Sequence, residues 1–443
     1  MSDDTLLREA ARERLFDGAL ADAVRAEGGT SGATLASRRL LHAALLLLGI
    51  AVTATLAVWH GPQQTTAQDP EAFDPLRPRV ENEWLWGERP PVASDHAQFA
   101  TLLADASLRK LSISSELELA DDDWRRLGQL QALEYLRLPL SQCSAHGLRE
   151  LRHAPNLRAL HLSGTNGGGT FDLAVATTLL ELPHLTCLML VLCPLETAAL
   201  RKLSGLPDLH SLYFESCTTE PTWTSALRDL RGLRWLRIIG RLPDPADTLT
   251  ARQLRELSAA PQLTTLHLVR FDLDEGDLAD LPPTLQFLEV RPNTPLSAAA
   301  LRTLVARPDL RGLRLSRLSD ADRELLHRAL PETRLERFST QGTLGAELQQ
   351  VLAEQSTLRR IGFEVTGSGA PDLDFCSRLQ HLEQLDLSMS EIPADGLDLS
   401  ALRALRHLRR VTFFGANARE SLTPEALGAM HDSLGPDVEL VVW

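Results

Sequence analysis

A six-residue pattern, L-x-x-L-x-L, returns along most of this chain and leaves few folds open to it. It begins at Leu108 (LRKLSI), Leu133 (LEYLRL), Leu157 (LRALHL), Leu185 (LTCLML) and Leu209 (LHSLYF). It continues at Leu233 (LRWLRI), Leu263 (LTTLHL), Leu285 (LQFLEV) and Leu310 (LRGLRL). Looser copies start at Leu335 (LERFST), Leu358 (LRRIGF), Leu382 (LEQLDL) and Leu408 (LRRVTF), and a weak last one at Val438 (VELVVW). The copies stand about 22 to 30 residues apart, near 25 on average, which is the range of repeat architectures. Alternation of apolar and variable positions predicts a short strand in each copy.

Between the copies runs a second pattern, L-x-x-L on helix formers. Examples are Leu148/Leu151, Leu200/Leu203, Leu227/Leu230, Leu254/Leu257, Leu301/Leu304 and Leu402/Leu405. A spacing of three keeps both Leu on one face of a short helix. Ser, Thr or Asp often precedes it, as helix starts do. Each unit thus reads as strand, turn and short helix, unable to bury its apolar side alone. Stacked units share one Leu core and pair their strands in parallel. The roughly three domains implied by 443 residues therefore give way to one long array. Leu accounts for about 90 of those residues.

On these copies the sequence resembles the leucine-rich repeat family, in its variants with helices on the convex side, over 108–443. The resemblance implies an α/β leucine-rich repeat solenoid, a curved right-handed superhelix of about 13 to 14 repeats, whose common work is binding. The sequence departs from the family at one place. The Asn or Cys expected three residues after the last strand Leu is present only as Cys193, Cys217 and Asn293.

Residues 40–59 (LLHAALLLLGIAVTATLAVW) carry no formal charge. At ~1.5 Å per residue, twenty residues reach ~30 Å, the thickness of a bilayer core. Arg38 and Arg39 flank one end and Trp59 the other, with no further Arg or Lys until Arg77. The expectation is a single transmembrane helix, with 1–39 cytoplasmic and the rest outside. A cleaved signal peptide is one alternative, against which the long preceding segment with its seven acids and the lack of a small-x-small site speak; a buried soluble helix is the other, and a Leu-repeat domain needs none. Residues 1–39 read as a tail with an amphipathic helix, 60–80 as a Pro-rich linker, and 81–107 as a cap on the first repeat. Trp84 and Trp86 fit either that cap or a membrane interface.

No constellation for catalysis stands out. The five Cys make no C-x-x-C pair, the 13 His form no HExxH motif, and TNGGGT (165–170) lacks the Lys of a phosphate loop. Asp121–Asp123 precede a helix, where dipole and capping explain them better than a metal does. No cofactor and no metal are expected. Cys193 and Cys217 fall at equivalent places on adjacent turns, and buried thiols are preferred there over a disulfide. Net charge is −14, which disfavours nucleic acid.

Alternation sends three residues of each strand to the concave face. Candidate binding residues there are Tyr135, Arg137, His161, Tyr213, Trp235, Arg237, His267, Phe287, Arg314, Arg337, Arg360 and Arg410. Tyr, Trp and Arg are the types enriched at binding hot spots. The face as a whole holds eight cationic and four anionic residues, opposite to the chain's overall sign. A protein or peptide partner of acidic character is expected, since Arg forks suit carboxylates. The plainer alternative is that Arg is simply common and stands there as solvated surface. The expected whole is a bacterial, single-pass membrane-anchored recognition protein. A structural or adhesive envelope protein is the first alternative, and an enzyme or enzyme-inhibitor-like protein the second.

Overall fold

The computed structural model describes residues 90–442, apart from 165–168, 183, 241–250, 272, 274, 293–295, 317, 366–372, 390–395 and 415–421. By its contacts the chain divides into two compact units, and the described residues belong to the second, Glu83–Trp443.

The strands are, in order, Val92–Ala93 (β1), Lys110–Ile113 (β2), Tyr135–Pro139 (β3), Ala159–Ser163 (β4), Cys187–Val191 (β5), Pro194–Leu195 (β6), Ser211–Glu215 (β7), Thr218–Thr219 (β8) and Trp235–Ile239 (β9). They continue as Thr265–Val269 (β10), Phe287–Arg291 (β11), Gly312–Leu315 (β12), Arg337–Thr340 (β13), Arg360–Val365 (β14), Gln384–Met389 (β15), Arg410–Phe414 (β16) and Glu439–Val442 (β17). Fifteen of them form one sheet in chain order, while β6 and β8 pair separately beside it. Every pairing between them is parallel. A parallel neighbour needs a crossover, and the segments between strands supply it as short α or 3-10 turns. This is the architecture of a leucine-rich repeat solenoid.

The repeat signature explains the packing directly. In each copy the second and third Leu sit on the strand and point inward; Leu136, Leu138, Leu160, Leu162, Leu188 and Leu190 are all fully buried. The first Leu ends the turn before the strand and joins the same core, as Leu133, Leu185 and Leu263 do. The L-x-x-L helices close that core from the other side, with Leu148, Leu200, Leu254 and Leu301 buried in it. One cluster runs from Ala93 to Val438, so no unit has a core of its own.

Local rules set the crossovers. Helix Asp121–Gly128 carries Asp121, Asp122 and Asp123 in its first turn, where the dipole favours them. Asp123 Oδ2 also accepts from the Ala120 amide at 3.0 Å. Ser144, Asp172, Ser297, Ser319 and Thr423 each cap a helix through a side-chain oxygen. The Leu402/Leu405 segment differs from the expected α-helix: Ser400–Ala404 is a 3-10 helix. A spacing of three matches the 3-10 period, so the pattern alone does not separate the two.

The sheet begins before the first L-x-x-L-x-L copy. Strand β1 pairs with β2 through Val92↔Ser112, and helix His96–Leu103 buries Phe99 against the first turn. The expected fold class is corrected in one respect. The α/β solenoid stands, but no transmembrane helix precedes it in the described structure: among the described residues no helix is long and apolar enough to cross a membrane. The expected span at 40–59 lies outside those residues, as do the expected tail 1–39, the linker 60–80, Trp84 and Trp86.

Candidate functional site

The twelve candidate residues fall on the sheet face turned away from the Leu core, in two rows fixed by strand register. The central row carries Arg137, His161, Tyr213, Arg237, His267 and Arg314. Its register runs Arg137↔His161↔Met189↔Tyr213↔Arg237↔His267↔Glu289↔Arg314 and then on to Ser339, Gly362, Asp386 and Thr412. The flanking row carries Tyr135, Trp235, Phe287, Arg337, Arg360 and Arg410, each two residues before its central-row position. Adjacent strands lie ~4.8 Å apart, so residues in one row touch.

The sheet brings together what the sequence scatters over nearly three hundred positions. At the N-terminal end, Tyr135 Oη and His161 Nδ1 lie 3.0 Å apart. Further along, Tyr213 Oη donates to Glu215 Oε2 at 2.6 Å. The Arg237 guanidinium carbon stands 5.5 Å from the Tyr213 ring centre, a cation–π arrangement. The His267 ring sits between Trp235 and Phe287, at 5.3 and 5.4 Å between centroids.

The middle of the face is a charged cluster centred on Glu289. Its carboxylate takes a hydrogen bond from His267 Nδ1 on β10 and another from Arg291 Nε on its own strand. Arg314 Nε on β12 stands 3.6 Å from the same carboxylate. Glu289 is completely buried, and burial alone would raise its pKa. The neighbouring charge of Arg291, with His267 and Arg314, outweighs that and holds it well below the usual carboxylate range. His267 is pushed the other way. Burial, reinforced by Arg237 and Arg314, lowers its pKa against the pull of Glu289. Two guanidinium groups, one imidazole and one carboxylate thus share the centre of the face.

The expectation of an open face holds only in part. Tyr135, His161, Tyr213, Trp235, Arg237, His267 and Arg314 are buried. Phe287, Arg337, Arg360 and Arg410 are half-buried, and Arg137 is exposed. Phe287 leans over Gly312, where a Cβ would stand 2.4 Å from its ring. Toward the C-terminal end, Arg360 Nε donates to Asp386 Oδ2 at 2.9 Å, and Gln384 Nε2 reaches the other oxygen at 3.0 Å. Arg410 Nε donates to Glu439 Oε2 at 2.8 Å.

The hub is not visible in any single strand. Glu289, Arg291 and Asp386 sit on the same face but were not singled out as site residues. The available signal was opposite charge at register-equivalent positions, as in Glu289 and Arg314. Among the described residues no group of three or more His, Cys, Asp or Glu is placed to hold a metal ion.

The chain is similar to the TLR13 chain in a TLR13–ssRNA13 complex, at 15% identity and a TM-score of 0.36, over 77% of this chain and 55% of that one. It thus spans about half the length of TLR13. It is also similar to an internalin, InlF, from Listeria monocytogenes str. 4b F2365, at 14% identity and a TM-score of 0.32, over 77% of this chain and 92% of that one. No family model matches the chain, and no curated protein matches it.

Proposed function

We propose that the chain is a recognition protein whose sheet face holds an acidic segment of a protein partner. The observation that carries this reading is the register alignment of cations on that face. Arg291 and Arg314 crowd one carboxylate at its centre, Arg237 stands two strands away in the same row, and Arg337 and Arg360 continue the flanking row. The face is cationic on a chain whose net charge is −14. Charge of opposite sign concentrated on one surface steers a partner and fixes its orientation. Planar Arg forks add bidentate recognition of carboxylates. The half-buried Arg337, Arg360 and Arg410 of the flanking row and the exposed Arg137 of the central row form the reachable part of the face. The buried cluster sets the potential beneath them, in a medium where charges are weakly screened.

The reading is tested by titrating the full chain against a fluorescent oligoglutamate peptide, with oligolysine as control. Binding should be salt-sensitive and confined to the acidic peptide. The variant Arg337→Glu/Arg360→Glu should bind it at least tenfold more weakly. Equal binding by the variant, or tighter binding of a single-stranded oligonucleotide than of the peptide, would overturn the assignment.

A further inference from the structure

Two thiols outside the charged face lie close together at the end of adjacent strands. Cys193 Sγ and Cys217 Sγ are 3.8 Å apart. They occupy the same place in successive repeats, 24 residues apart. The backbone around them is locked on both sides. Before them, β5 pairs with β7 through Val191↔Glu215, and the ladder extends one residue further as Leu192 N donates to Glu215 O at 2.8 Å. After them, β6 pairs with β8 through Pro194↔Thr218.

The residue just before each Cys turns the chain in the same unusual way. Leu192 has φ of 55° and Ser216 has φ of 51°, the left-handed region that side chains rarely adopt. The two thiols thus stand side by side at matching positions, where Cys217 Sγ also donates to Leu190 O at 3.2 Å. Neighbouring strands ~4.8 Å apart fall within the Cα separation that a disulfide spans, so closure needs side-chain rotation and little backbone movement. Cys193 is buried in the core, whereas Cys217 is half-buried against it.

We infer that Cys193 and Cys217 form a redox-active pair that joins two successive repeats when a low-molecular-weight disulfide is present. The exchange runs in two steps. Cys217, as thiolate, attacks one sulfur of the small disulfide; that S–S bond breaks and one small thiolate leaves. Cys193 then gives up its proton and attacks Cys217 Sγ, expelling the second small thiolate. Two protein thiols are oxidised and one small disulfide is reduced to two thiols. The link would fix the turn that follows Glu215, the partner of Tyr213 at the rim of the face. It is independent of what that face binds.

The test equilibrates the folded full chain in glutathione/glutathione disulfide mixtures, traps remaining thiols by alkylation and maps peptides without reduction. The expected product is one crosslinked peptide pair holding Cys193 and Cys217, lighter by two hydrogens, while Cys187 and Cys376 stay as thiols. Cys193→Ser should stop at a glutathione mixed disulfide on Cys217, and Cys217→Ser should leave Cys193 reduced. Circular dichroism confirms that each variant is folded. The idea is overturned if folded protein keeps both thiols alkylatable across the whole redox range. It is equally overturned if Cys217 pairs instead with Cys143 or Cys187.

Discussion

Tyr135 and His161 face each other across two neighbouring strands, with Oη and Nδ1 3.0 Å apart and both side chains buried. Burial, aided by the charge of Arg137, pushes the His161 pKa down to about 3. Neutral imidazole is therefore the folded form at neutral pH, hydrogen-bonded through Nδ1 to the tyrosine hydroxyl. An unfolded chain would titrate this group near ~6.5. Between those two values the unfolded state binds more protons, so stability rises with pH. Stability should accordingly fall as pH drops from about 6.5 toward 3, by at most ~1.4 kcal/mol per unit from this residue. Urea unfolding of the wild type and of His161→Gln at pH 7 and pH 5 checks it. The variant should lose less between the two conditions than the wild type does.

Glu289 should be the most sensitive charged residue of the face. Glu289→Gln removes the carboxylate that Arg291, Arg314 and His267 share. Breaking a buried pair from one side typically costs about 3–5 kcal/mol, because the other charge stays behind. Adding Arg291→Gln to Glu289→Gln should cost less than the sum of the two single changes. Denaturant titration of the four proteins measures this coupling, and strict additivity would contradict the shared-carboxylate arrangement.

Tyr213→Phe keeps the ring beneath Arg237 and removes only the hydroxyl that donates to Glu215. A hydrogen bond to a charged group is worth about 1.5–3 kcal/mol. The expected loss is about that, whereas Tyr213→Leu should lose more because the cation–π contact goes as well. Thermal unfolding of the two variants side by side shows whether the ring contributes separately from the hydroxyl.

Helix propensity and packing make opposite predictions at Gly128. By propensity, Gly128→Ala should stabilise helix Asp121–Gly128 by up to ~1 kcal/mol. A Cβ there would meet the backbone oxygen of Glu150 at 2.2 Å, and backbone yields poorly. The clash should win, with a net loss of about 1–3 kcal/mol. A raised unfolding midpoint for the variant would show that the two helices separate easily.

The repeat core was legible to the residue. L-x-x-L-x-L places β3 after Leu133 and β12 after Leu310, and alternation alone assigns Arg237 and His267 to the face. What lay between copies was less readable. Strand β1 at Val92–Ala93 carries no repeat signature, and two residues are too few to show a period. The β6–β8 pair follows kinks at Leu192 and Ser216, which no residue type announces. The face was legible as a set of neighbours but not as an environment. Which side chains share a row follows from period two. That Arg237 and Glu289 are buried rather than solvated depends on packing, which a string of letters does not contain. The hub at Glu289 needed register: a carboxylate becomes a centre only when the strands before and after it set His267 and Arg314 alongside.

In this sheet, spatial order and sequence order coincide from β1 to β17. Each repeat answers only to the one before and the one after it. A duplication or loss of one whole repeat would lengthen or shorten the row of charges without shifting the faces of the strands on either side. A lesion inside a repeat would likewise stay with its two neighbours. The surface can therefore be edited one rung at a time, and its reach and its charge pattern are separable properties of the same chain.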